Sequence, residues 1–147
     1  VVKLPFNWVA TKNAARYRVI RGPFGKLGVL LCDEDMIAGF SRKAARGGAG
    51  ALVALSNPGL FQNTTIPYYQ LFQDQIRAAE TGLPLIRVSP NGYSALIDRT
   101  GKIVQRTELG VEEILRVELP LEAFSGTAGE EAPVSPLLQA MAMPEQA

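Results

Sequence analysis

The chain of 147 residues carries 15 Lys and Arg against 14 Asp and Glu, a formal net charge of +1, one cysteine and no histidine. That length suffices for one ordinary domain, and the missing histidine removes Ser-His-Asp and Cys-His nucleophile systems, His-containing zinc sites and any imidazole general base. Near-neutral charge gives no electrostatic case for nucleic acid, one cysteine allows no intramolecular disulfide, and the remaining candidate nucleophiles are Cys32 and ordinary hydroxyls.

The opening residues Val1 to Phe6 lack a starting methionine and the charged, apolar and small-residue order of a signal peptide, so they read as an excised piece of a longer chain. Leu27 to Cys32 is the longest apolar run, far short of the ~20 residues a spanning helix requires. Its continuity suits a strand buried on both faces, and it stops at Asp33-Glu34-Asp35. From Met36 to Arg46, apolar Met36, Ile37, Phe40, Ala44 and Ala45 recur at helical spacing, and Gly47-Gly48 supplies the stop. Ala49 to Leu55 is the next buried strand, which makes a β-α-β unit with parallel strands, and Ser56-Asn57-Pro58-Gly59 breaks the chain into a loop.

A second helix is expected from about Pro67 to Thr81, with proline in its first turn and Gly82 at its end. Four β-like stretches follow: Leu85 to Ser89, Tyr93 to Asp98, Lys102 to Thr107 and Glu113 to Leu119. Beyond Pro120 the composition shifts to Gly, Ala, Glu and Pro, so a mobile tail is expected over 120–147, with one short helix or none from Pro136 to Met143. The whole order is that of an α/β layered fold.

Cys32 ends a buried strand just before an acidic turn and a helix, the strand-turn-helix arrangement that exposes a nucleophile beside amides favouring thiolate. The competing reading is a small buried apolar residue. Glu34 makes sense beside a thiolate only when held by a donor, orienting a substrate or carrying a proton; otherwise it is a first-turn acid facing a helix dipole. Arg77 and Glu80 are spaced as an intrahelical pair, and Arg87 either balances site charges or is solvated.

The ordered series Gly28 to Glu34, Arg42, Gly48-Ala49, Leu52 to Phe61, Ile66 to Gln70, Arg77 to Arg87 and Asn91 to Asp98 with Gly101 resembles the second half of the carbon-nitrogen hydrolase (nitrilase) superfamily. The very short connector from Arg87 through Asn91-Gly92 to Ser94, and the Ser-Asn-x-x-x-Phe loop at Ser56 to Phe61, are most similar to its apolipoprotein N-acyltransferase branch. The resemblance implies half of a nitrilase-type α-β-β-α sandwich, with residues 1–25 a remnant of the upstream part and 26–119 the C-terminal half. It implies Cys32 as a nucleophile that forms a thioester, Glu34 as a supporting residue, and Asn57, Phe61, Tyr68 and Asn91 as substrate-binding residues. Core packing is the competing use for at least some of Tyr68, Tyr69 and Phe72, and Asn91-Gly92 is a turn before it is a contact.

The family pairs its cysteine with a glutamate base and an oxyanion-stabilising lysine. That glutamate belongs to the first half, and Lys3 can fill the lysine role only with a deletion in the segment aligned on Pro5-Phe6. Asp33 stands where the branch has an aromatic residue, and Leu60 where the loop usually has tryptophan. The implied partners are a phospholipid acyl donor and a lipoprotein N-terminus, with no cofactor, no metal, and a second copy as a further partner through the open sheet. The implied setting is a bacterial inner membrane with this domain on the periplasmic side. The alternatives are a soluble, cytoplasmic carbon-nitrogen hydrolase acting on a small amide or nitrile, and a degenerate, non-catalytic binding domain.

Overall fold

The computed structural model describes residues 19–22, 25–61 and 63–119. Lys3 with the Pro5-Phe6 segment, and the tail expected over 120–147, lie outside the described residues.

The apolar run predicted as a buried strand is β2 (Gly25–Leu31), and a preceding strand, β1 (Val19–Gly22), pairs with it antiparallel. After β2 comes a 3-10 turn over Cys32–Met36, then α1 (Ala38–Arg46), which returns the chain to β3 (Ala51–Leu55). A second crossover through α2 (Ile66–Thr81) leads to β4 (Leu85–Val88), so β2, β3 and β4 run parallel, as helical connections demand. Antiparallel β5 (Ala95–Ile97) and β6 (Ile103–Arg106) complete a six-stranded sheet in the order β1-β2-β3-β4-β5-β6.

The strand register separates two faces. Gly28, Leu52 and Leu85 lie side by side, as do Leu30, Ala54 and Arg87, and these positions face the helices. Leu30, Ala54, Leu85 and Ile97 form one core with Ala44 of α1 and Leu71 and Ala78 of α2. Each buried leucine here is worth roughly 1.5–3 kcal/mol, and the small alanines let the helices lie close to the sheet. Along α2, Pro67, Gln70, Leu71, Asp74, Ala78 and Thr81 are buried, the i, i+3, i+4, i+7 stripe of a helix with one face on a sheet. Gly82 closes that helix in the left-handed region at φ 68°, its N–H donating to the Ala78 carbonyl at 2.9 Å. On the opposite sheet face, Leu31, Leu55 and Val88 sit in register across three strands and are 49, 41 and 47% exposed.

Two expectations need correction, and two open alternatives are decided. The helix predicted from Met36 starts at Ala38, because Cys32–Met36 forms its own 3-10 turn and Ile37 between the two is extended. The strand expected over Glu113 to Leu119 is not formed: no described neighbour pairs with it, and Ile114 is 95% exposed. Arg87 is 1% exposed and so is not solvated. Tyr68, Tyr69 and Phe72 are 63, 47 and 49% exposed and do not pack in the core.

Candidate active site

Strand β2 ends at Leu31, and the chain reverses at Cys32, whose φ of +52° makes it the one non-glycine with positive φ among the described residues. For a side-chain-bearing residue that conformation costs roughly 1–2 kcal/mol, so surrounding contacts must hold it. Cys32 is exposed there, against the reading of a small buried apolar residue. The bend is closed by Glu34, whose Oε2 accepts the Leu31 N–H at 2.8 Å, while the Glu34 carbonyl accepts the Ile37 N–H at 3.2 Å. Glu34 is therefore held by a donor, and its visible task is to fasten the turn that carries Cys32.

The expected thiolate-favouring effect is not found. Burial of the thiol pushes its pKa above the ordinary value, and the charges of Asp33 and Asp35 add to the rise, outweighing the Asp33 backbone hydrogen bond. Five residues of 3-10 turn present few aligned amides, and three carboxylates follow directly. At rest the arrangement therefore favours the protonated thiol over the thiolate.

Beneath the bend lies a buried polar cluster that sequence reasoning missed. Arg87 on β4 donates through Nη1 to Asp35 Oδ2 at 3.0 Å and to Asp74 Oδ2 at 2.7 Å. Its Nη2 donates to Gln70 Oε1 at 2.7 Å, and its Nε donates to the Tyr93 carbonyl at 3.1 Å. Ser56 Oγ, just after β3, donates to the same Gln70 oxygen at 3.2 Å. One guanidinium thus joins the Cys32 turn, α2, the end of β3 and the approach to β5. Two carboxylates share one cation, and Asp35 Oδ1 and Asp74 Oδ1 have no hydrogen-bond partner. Burial consequently raises both acids despite the pull of Arg87, with Asp74 pushed up to about 7. Arg87 was visible in sequence as a charge inside a β-like stretch; Asp35 and Asp74 carried no local sign of their common partner.

At the same end of the sheet, Asn91 Nδ2 donates to Asn57 Oδ1 at 2.8 Å, and Asn57 Oδ1 also accepts the Gly59 N–H at 3.1 Å. The loops after β3 and β4 are thereby fastened together. Gly92 sits tightly between them: a Cβ there would lie 2.5 Å from Ser89 Oγ and 3.0 Å from Pro58 Cγ. Phe61 is 46% exposed on the short 3-10 turn Gly59–Phe61, and Tyr68 is 63% exposed on the first turns of α2. Of the predicted residues, the structure places Cys32 and Glu34 on one bend and bonds Asn57 to Asn91; Lys3 lies outside the described residues. Arg77 and Glu80 form the expected pair at 3.3 Å, and Arg42 of α1 also binds Glu80.

Comparison with known proteins agrees with this architecture. The carbon-nitrogen hydrolase family profile matches residues 4–128. The chain is similar to the apolipoprotein N-acyltransferase of Geobacter metallireducens, 32% identical over 109 residues that make up 72% of this chain and 21% of that protein. The apolipoprotein N-acyltransferase of Bradyrhizobium diazoefficiens is 48% identical over 71 residues, 48% of this chain and 13% of that protein. The chain therefore spans about a fifth or less of the length of these relatives. Among solved structures, a carbon-nitrogen hydrolase from Helicobacter pylori G27 superposes with TM-score 0.64 at 24% identity, covering 71% of this chain and 43% of that one. Saccharomyces cerevisiae Nit3, a member of branch 10 of the nitrilase superfamily, gives TM-score 0.56 at 25% identity, covering 66% and 38%.

Proposed function

Because the chain belongs to the carbon-nitrogen hydrolase family, we propose that it is the nucleophile-bearing part of an apolipoprotein N-acyltransferase, with Cys32 as the residue that carries the acyl group. The observation that supports this reading most is the exposed thiol at φ +52°, at the C-terminal end of a parallel strand. That is where an α/β sheet presents reacting groups, and such a backbone strain is commonly kept where function needs it.

In the proposed cycle, the Cys32 sulfur attacks the ester carbonyl of a phospholipid as a base takes its proton. The tetrahedral intermediate collapses to a thioester and releases the lysophospholipid, whose oxygen receives the proton. The free N-terminal amine of a lipoprotein then attacks the thioester carbonyl, giving an amide and returning the proton to Cys32. The raised thiol pKa makes the base essential to the first step; on the bend, Glu34 is engaged with the Leu31 N–H and Asp35 with Arg87, while exposed Asp33 acts on the thiol as a charge that raises it. The base is assigned to the upstream half of the domain, and Lys3 remains the candidate for the oxyanion-stabilising lysine. Asn57 with Asn91, and exposed Phe61 and Tyr68, offer polar and apolar contacts for the substrate at the same sheet end. The membrane, with this domain on its periplasmic side, is the setting this reading requires. Among the described residues no helix is long and apolar enough to cross a membrane.

The test is transfer from phospholipid to a diacylated peptide by this chain, by a longer chain restoring the upstream half, and by that longer chain with Cys32→Ala. Transfer by the longer chain alone, abolished by Cys32→Ala, is the expected result. Turnover by the short chain, or survival of transfer in Cys32→Ala, contradicts the proposal. Release of ammonia from small amides with no acyl transfer would assign a carbon-nitrogen hydrolase instead.

A further inference from the structure

We infer that Arg87 is the positioning residue of the Cys32 bend, acting through Asp35 to hold the nucleophile's backbone in its left-handed conformation. The inference rests on Cys32 being the nucleophile. Cys32 itself has no covalent or steric reason to stay at φ +52°, and release to an ordinary conformation would relieve roughly 1–2 kcal/mol. Two fastenings oppose release. Glu34 closes the turn on the outer side, through the Leu31 N–H. Asp35, three residues past Cys32 and fully buried, closes it from below through Arg87.

The strength of the lower fastening lies in the geometry of the cation. Arg87 uses all three of its nitrogens, and its four acceptors come from the Cys32 turn, two successive turns of α2, and the Tyr93 carbonyl before β5. A planar fork so engaged cannot rotate without breaking several charge-assisted bonds in a dry site. The bend is therefore fixed to the sheet and α2 together, not to one neighbour. The charged groups facing the cluster are Asp35 and Asp33 from the Cys32 turn, and Asp74 and Arg77 from α2; Ser56 and Gln70 are its neutral polar members. Asp74 binds Arg87 but not the bend, so its removal leaves the Asp35 contact in place.

Cys32 is the only cysteine, so iodoacetamide labelling reads it directly. Arg87→Lys keeps the charge and loses the fork. The expected result is a bend that loosens and rehydrates: the alkylation midpoint falls toward that of an ordinary thiol by about half a unit, a threefold gain in rate at pH 8. Exchange of the Leu31 and Ile37 amide hydrogens accelerates relative to the amides of β3. Asp74→Asn leaves both readouts at the wild-type value. A merely structural role would instead accelerate exchange throughout the sheet and leave the labelling midpoint unmoved. If Arg87→Lys fails to fold, Asp35→Asn removes the charge from the one contact that joins Arg87 to the bend and is expected to shift both readouts in the same direction, by less. An unmoved midpoint and unmoved bend amides in whichever variant folds would overturn the inference.

The longer chain separates this from the functional reading. Arg87→Lys is expected to lower kcat for acyl transfer with KM for the phospholipid unchanged. Transfer that survives Cys32→Ala while labelling still responds to Arg87→Lys would defeat the reading of Cys32 as nucleophile. Transfer lost in Cys32→Ala, with labelling and kcat indifferent to Arg87→Lys, would defeat the positioning role.

Discussion

Glu34 reaches back across the Cys32 bend and accepts the Leu31 N–H through Oε2 at 2.8 Å, so the residue two places after the cysteine fastens the residue one place before it. Truncation to alanine leaves that amide without its partner and frees the strained turn. Glu34→Ala should lower stability by about 1–2 kcal/mol in urea unfolding, and Glu34→Gln, whose amide oxygen can still accept, by less than half as much. Equal losses in the two variants would mean that the carboxylate charge, and not the hydrogen bond, matters at this position.

The Arg87 cluster makes stability depend on pH. Asp74 binds its proton more tightly folded than unfolded, since burial raises it from an ordinary carboxylate value to about 7. The folded state thus holds more protons than the unfolded one between about pH 4 and 7, and stability falls as pH rises through that window. Asp35, also raised by burial, acts in the same direction. Half-buried Asp98 acts oppositely: hydrogen bonds from Thr100 and Lys102 lower it, so its contribution is present above the ordinary carboxylate range and lost as pH falls. Thermal unfolding from pH 4 to 8 should show Tm declining toward pH 7 in the wild type, and a visibly flatter curve in Asp74→Asn.

Two glycines with similar backbones separate strain from crowding. Gly101 at φ +87° and Gly110 at φ +76° both occupy the left-handed region, but a Cβ at Gly101 would lie 2.7 Å from the Gln75 carbonyl oxygen, whereas Gly110 has open space. Gly101 also accepts the Gln75 side-chain amide at 2.8 Å, which ties the turn before β6 to α2. Gly110→Ala should cost about 1 kcal/mol from conformation alone, and Gly101→Ala more than twice that, as measured by chemical denaturation.

The parallel core was legible because its strands are continuous apolar runs and its helices carry period-3.6 stripes ended by glycine, all of them local signals. Strand β1 was not, because Val-Ile-Arg-Gly is too short to show a period; it is a strand only through pairing with Lys26, Leu27 and Gly28. Glu113 to Leu119 shows the reverse: the local pattern is present, but a strand also needs a neighbour, and none of the described residues supplies one. Cys32 and Glu34 stood out because a cysteine at the end of an apolar run and an acid two residues later are adjacent in sequence. Arg87 is 52 residues from Asp35 and 13 from Asp74, so the cluster beneath Cys32 exists only once the β-α-β crossovers bring those segments together. The choice between substrate contact and core packing for Tyr68, Tyr69 and Phe72 was not legible, because an aromatic at helical spacing carries no mark of which side of the helix is covered; all three are exposed.

The central claim is that Cys32 carries the acyl group, and the most direct measurement is mass spectrometry of the peptide containing Cys32 after the longer chain has met phospholipid without an amine acceptor. The expected result is a fatty-acyl mass on Cys32 that hydroxylamine removes and that a diacylated peptide discharges into amide. Acyl transfer proceeding with Cys32 unmodified throughout, or an adduct on another residue, would contradict it.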